Sequence, residues 1–109
     1  MGEYLVIISR DVSQKVAKRS VLYLEQKMRE VRFCTDKGEV YVKGKVRDMV
    51  QAMSDGMYLC HQYLAINLDR VEKMTEESVF FDSGDSLKMG RNKYIETRKA
   101  FNDYLESLL

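Results

Sequence analysis

Residues 45–76 read KVRDMVQAMSDGMYLCHQYLAINLDRVEKMTE, and their reading decides the architecture. Val46, Val50, Met53, Met57, Cys60, Leu64, Asn67, Val71 and Met74 recur at spacings of four and three. That is a heptad seam with one polar member, and it predicts a single helix from about Lys45 to Glu76. Gly56 falls inside that helix but off the seam, at a cost of about 1 kcal/mol relative to Ala. A rival reading ends the helix near Tyr63 and starts a strand at Ala65, because Ala-Ile-Asn-Leu-Asp-Arg alternates over a few residues. The unbroken seam favours the helix.

Upstream of this stretch, Val31–Thr35 and Glu39–Lys43 are two short alternating segments around Asp36-Lys37-Gly38. A three-residue loop with Gly in the left-handed position predicts a β-hairpin. Val31, Phe33, Val40 and Val42 fit its inward face; Arg32, Glu39, Tyr41 and Lys43 fit its outward face. Residues 3–9, Glu-Tyr-Leu-Val-Ile-Ile-Ser, predict a strand that is apolar on both faces and therefore central. Asp11-Val-Ser-Gln14 has the form of a capping box. A helix to about Glu30 is expected after it, with Ala17, Val21, Leu24 and Met28 as its apolar stripe. Lys15, Lys18, Arg19, Gln26 and Arg29 lie off that stripe.

Downstream, residues 78–92 are punctuated by Asp82-Ser-Gly-Asp-Ser86 and Gly90-Arg-Asn. They read as a loop with a short strand at Val79–Phe81. A last helix is expected over 93–108, with Asn92 as N-cap and Tyr94, Phe101, Tyr104, Leu105 and Leu108 on its apolar side. The expected fold is α+β: a small antiparallel sheet in the order strand, helix, β-hairpin, long helix, with an extra C-terminal helix. One domain spans residues 1–109, with its core at 3–76.

Length and composition fit this picture. A chain of 109 residues has room for one ordinary core. It contains no proline, which suits helices and tight glycine turns. No stretch approaches the roughly 20 apolar residues needed to cross a bilayer. The N-terminus lacks the basic flank and length of a signal peptide, so a cytoplasmic location is expected. The net charge is +1, which imposes no global field. The distribution is uneven: the first half is net basic, residues 69–85 are acidic, and residues 88–99 are basic again.

No catalytic constellation is visible, and no cofactor or metal is expected. His61 and Cys60 are adjacent, so on a helix they point about 100° apart and cannot form a dyad. Cys34 and Cys60 lie outside any Cys-x-x-Cys pair and read as small packing residues. Asp82 and Asp85 read as turn residues, because an EF-hand needs a longer loop and a terminal Glu. The glycines form neither a dinucleotide fingerprint nor a phosphate loop.

Two binding surfaces are expected instead. Lys43, Lys45 and Arg47 surround Gly44 at the start of the long helix, and Arg10 with Lys15 opens the earlier one. Helix N-termini offer free amides to phosphate, so these residues form a candidate nucleic-acid contact. Three short strands cannot cover so long a seam. Met53, Met57, Cys60, Leu64, Asn67 and Val71 are therefore the expected interface with a second copy or a paralogous subunit, with Asn67 fixing register.

The order strand, helix, hairpin, long helix over residues 3–74 resembles the small dimerising subunit of the KEOPS complex. That family bridges catalytic subunits that make threonylcarbamoyl-adenosine in transfer RNA. Tyr58-Leu59 matches its Tyr-Leu pair, while Ala52 and Gly56 stand where the family carries Arg and Asn, as in a divergent paralogue. The resemblance implies a non-enzymatic, dimerising assembly subunit with a role in tRNA processing. Glu39-Val-Tyr-Val-Lys-Gly-Lys-Val-Arg47 is in turn similar to the strand and basic helix start of Alba-like nucleic-acid-binding proteins. That alternative implies RNA or DNA as partner, and it requires a strand over Ala65–Val71.

Overall fold

The computed structural model describes residues 2–53 and 56–109. Among them the chain is mostly β. Its strands are β1 (Tyr4–Ile8), β2 (Ser13–Ala17), β3 (Val21–Lys27), β4 (Glu30–Thr35), β5 (Gly38–Lys43), β6 (Met57–His61), β7 (Leu64–Asn67), β8 (Val71–Thr75), β9 (Ser78–Phe81) and β10 (Ser86–Lys88). Helix α1 (Val46–Val50) interrupts them, and α2 (Arg91–Ser107) follows them. The strands form three antiparallel sheets: the ribbon β1-β2, a central five-stranded sheet in the order β5-β4-β3-β7-β6, and the sheet β10-β9-β8.

The central sheet is covered on both faces. On one face Val21, Leu24, Val31, Phe33 and Ala65 pack with Val16 of the ribbon and Val46 of α1. On the other, Leu22, Cys60, Leu64 and Ile66 pack with Val71, Val79 and Phe81 of the third sheet and Phe101 of α2. Tyr23 stacks on Phe81 with ring centroids 5.6 Å apart. Val21, Leu24, Val31, Ala65, Ile66 and Val79 are fully buried. Each larger apolar side chain so placed contributes about 1.5–3 kcal/mol of burial free energy.

This double coverage overturns the expected α+β layout and explains it. A strand buried on both faces carries apolar residues at nearly every position, so a subset always falls at helical spacing. The helix expected over 11–30 is β2, a single 3-10 turn (Lys18–Ser20) and β3. Its supposed stripe is split: Val21 and Leu24 are core strand residues, while Met28 is a turn residue exposed to solvent.

The long helix is absent as well. After the five residues of α1 the segment becomes β6, β7, a second 3-10 turn (Leu68–Arg70) and β8. The rival reading placed a strand at Ala65, where β7 now runs, but kept helix to Tyr63. All four residues of β7 are buried. Gly56 has a structural duty here: a Cβ on it would lie 2.5 Å from the Asp69 carboxylate and 2.9 Å from Asn67 Oδ1. Asn67 sets no helix register. Its Nδ2 donates to the Val21 carbonyl at 2.9 Å and its Oδ1 accepts from the Asp69 amide at 3.1 Å.

Other expectations meet the structure more closely. β4 and β5 form the expected hairpin, with the chain reversing at Asp36-Lys37 and Gly38 at φ 127°. β9 occupies the expected strand at Val79–Phe81, and β10 pairs with it inside what was expected to be loop. α2 starts at Arg91 with Gly90 rather than Asn92 as N-cap. β1 is a strand, but it belongs to the outer ribbon and not to the centre: Val6 is 70% and Ile8 78% exposed.

Candidate nucleic-acid interface

Strand register brings three connections to one end of the central sheet. The β3–β4 turn is Met28-Arg29, closed by Lys27 opposite Glu30. Glu30 also faces Lys43, so the β5–α1 junction at Gly44-Lys45 lies beside that turn. Glu25 faces Leu64, which places the β6–β7 turn, Gln62-Tyr63, on the other side. Together they line a groove of about 400 Å³ with Gln26, Met28, Arg29, Gly44, Lys45, Arg47, Gln62 and Tyr63 on its walls.

Gln26 braces all three connections. Its Nε2 donates to the Met28 carbonyl at 3.1 Å, the Glu30 carbonyl at 3.1 Å and the Gly44 carbonyl at 2.9 Å. Its Oε1 accepts from the Val46 amide at 3.1 Å, which holds the first turn of α1. Its own backbone amide donates to the Tyr63 carbonyl at 2.9 Å. The Gly44 amide adds a bond to the Arg29 carbonyl at 3.1 Å. Gly44 sits at φ 142°, and a Cβ there would meet the Met49 side chain at 2.6 Å. The sharp exit from β5 therefore needs glycine.

The charge of this end is positive and available. Arg29, Lys43, Lys45 and Arg47 are exposed. The ion pairs among the described residues engage other cations, namely Arg19, Lys27, Arg32, Arg70, Arg91 and Lys93. A second groove next to the first contains Lys88, Gly90 and Lys93 beside His61 and Tyr63, so the cationic surface continues to the start of α2. His61 points inward to the turn, where its Nδ1 accepts from the Tyr63 amide at 3.2 Å. The far end of the sheet is different. There Arg70 binds Asp82 at 2.7 Å and Asp36 at 3.0 Å, closing the third sheet against the β4–β5 hairpin.

Of the cations singled out in the sequence, Lys43, Lys45 and Arg47 meet at this end. Lys15 does not join them: it lines a groove with Arg19, Thr35, Lys37 and Glu39 at the opposite end. Arg10 is an exposed residue of the β1–β2 turn. Neither opens a helix. Met28, Arg29 and Gln62 were not foreseen as surface contacts. The expected helical interface is dismantled: Met53, Cys60, Leu64, Asn67 and Val71 are buried in the fold, and Met57 is half-buried against it. Among the described residues of 45–76 the one α-helix is the five-residue α1, so a dimer through a long helix there is not supported.

Among the described residues no group of three or more His, Cys, Asp or Glu could hold a metal ion. Burial pushes the Cys60 thiol up to about 11 and raises Cys34 too, so both are held in the unreactive form. The groove offers guanidinium, ammonium and amide donors on rigid turns, which suits binding to a polyanion.

Comparison with known proteins identifies the family and the fold. The family profile of the LytTr DNA-binding domain matches residues 11–102. Among solved structures, the LytTr DNA-binding domain of a methyl-accepting/DNA response regulator from Bacillus cereus superposes with a TM-score of 0.70. It is 16% identical, and the match covers 89% of this chain and 94% of that one. No curated protein sequence matches the chain. The KEOPS and Alba-like resemblances are thereby overturned. The first needs a long helix where β6, β7 and β8 stand, and the second needs one strand where the 3-10 turn at Leu68–Arg70 divides two. A tRNA-processing scaffold role falls with them.

Proposed function

Because the chain belongs to the LytTR DNA-binding domain family, we propose that it binds double-stranded DNA, with the Gln26-braced end of the central sheet facing the duplex. The observation that carries the reading is the meeting of Arg29, Lys45, Arg47 and Gln62 at three connections, two held by the Gln26 side chain and the third by its backbone amide. Lys43, Lys45 and Arg47 contact phosphates, which fix position on the duplex without reading sequence. Arg29 and Gln62 sit on two-residue turns that project beyond the sheet, where an Arg or Gln can address base edges. Lys88 and Lys93 extend the phosphate track. Arg10 and Lys15 lie outside this surface and take no part in it. The role is non-enzymatic and cytoplasmic. Among the described residues no helix is long and apolar enough to cross a membrane.

The test is the salt dependence of binding to duplex DNA, followed by fluorescence anisotropy. Binding weakens steeply with salt, and replacing Lys43, Lys45 and Arg47 together by Glu lowers the slope of log K against log salt by about 3. The same triple substitution leaves the thermal transition in place, because all three side chains are exposed. Absence of binding to any duplex at low salt would sink the reading.

A further inference from the structure

Building on the DNA-binding reading, we infer that Met28 is a specificity residue that packs on the 5-methyl group of a thymine in the major groove. Two independent features single it out. It is 96% exposed, and among the described residues only the C-terminal Leu109 is a more exposed large apolar side chain. Its backbone also lies at φ 58°. A turn ordinarily assigns that region to Gly, Asn or Asp, and a bulky residue adopts it only at a cost. The turn needs the positive φ, but it does not need a methionine there. Glycine would relieve the backbone, and a polar side chain would suit the solvent. Strain and exposure combined on one residue, at the rim of a groove lined by Arg29, Lys45 and Gln62, are the mark of a contact kept for a ligand.

The chemistry of the side chain selects the ligand group. A thioether on an unbranched stem adapts its shape to a small apolar partner. On the edges of paired bases the apolar group is the thymine methyl, and it is displayed in the major groove. Geometry agrees. Adjacent strands lie about 4.8 Å apart, so a turn joining β3 to β4 is narrow against a major groove roughly 12 Å wide. The flanking Gly44-Lys45 and Gln62-Tyr63 connections make the whole edge broader than a minor groove of roughly 6 Å. A methionine wedged between base steps from the minor side would kink the duplex instead.

The experiment starts from the duplex that the wild-type chain binds most tightly out of a random-sequence pool. That duplex is resynthesised with deoxyuridine in place of thymidine, one position at a time, which removes the methyl alone. Binding by the wild-type chain weakens about fourfold for at least one position, the value of one buried methyl-sized group. Met28→Ser and Met28→Gly bind the thymine and uracil duplexes equally, with an unchanged salt slope. Met28→Gly melts no lower than wild type, so lost discrimination cannot be ascribed to a damaged fold. Indifference of the wild type to uracil at every position overturns the inference, as does discrimination that survives in both variants. A sharply bent duplex with indifference to uracil assigns the wedge instead. Binding without thymine preference refutes only the role of Met28; no binding at low salt refutes the DNA reading beneath it.

Discussion

Replacing Gln26 by Leu is the most searching perturbation of this structure. The substitution nearly conserves volume and removes only the amide. The carbonyls of Met28, Glu30 and Gly44 and the amide of Val46 all lose a partner at once. Nε2 has two protons to share among three acceptors, so the side chain amounts to about three full hydrogen bonds. At a net value of about 1 kcal/mol each the loss would be about 3 kcal/mol. Gln26 is half-buried, so water can reach some of the orphaned groups, and about 2–3 kcal/mol is expected. Urea denaturation measures this directly, and the thermal midpoint should fall by about 10 °C. Gln62→Leu is the matched control. Gln62 is exposed and braces nothing, so its stability change should stay within about 0.5 kcal/mol. The two variants separate the roles: Gln26→Leu lowers stability and loosens the β3–β4 turn from the β5–α1 junction, while Gln62→Leu spares stability and weakens DNA binding. A stability loss for Gln26→Leu below about 0.5 kcal/mol would refute the claim that this amide holds the connections together.

Two further outcomes follow from buried groups. Asn67→Leu leaves the Val21 carbonyl and the Asp69 amide unpaired and should cost about 2–4 kcal/mol by urea denaturation, since it is nearly fully buried; a neutral or stabilising result would refute the structural role given to these two bonds. Cys60 should resist alkylation at pH 8 in the folded chain and react on unfolding, because burial holds its thiol near 11. With the folded value raised above the ordinary 9.0, stability is complete below about pH 9 and declines as pH climbs towards 11; rapid labelling of the native protein at pH 8 would contradict this burial.

The sequence was legible where turn chemistry marked the chain. Asp36-Lys37-Gly38 announced the β4–β5 hairpin, and the amphipathic stretch after Gly90 announced α2. It was illegible where two-residue turns lack the usual residues. Met28-Arg29 and Gln62-Tyr63 contain no Gly, Pro, Asn, Asp or Ser, so nothing interrupts the apolar pattern at the chain reversals. Without a break at Gln62-Tyr63, β6 and β7 pass for one continuous helix, and without one at Met28-Arg29 the helix expected over 11–30 runs on through β3. The same gap hid half of the site. Lys43, Lys45 and Arg47 cluster locally around Gly44 and could be found, whereas Arg29 and Gln62 reach them only through strand pairing. The apolar run Tyr-Leu-Cys-His before Gln62 and Leu-Ala-Ile-Asn after Tyr63 was the available signal for a hairpin.

Every partner of the Gln26 side chain is a main-chain atom. The brace is therefore blind to which side chains stand on the connections it holds. Positions 29, 45 and 62 can change identity without loosening the frame, because none of their side chains supplies a bond to it or lies in the core. Recognition and folding are thus written on separate sets of residues. A library randomised at those three positions over a fixed Gln26, Gly44 and Val46 should yield folded members at high frequency, differing in the sequences they prefer rather than in their stability.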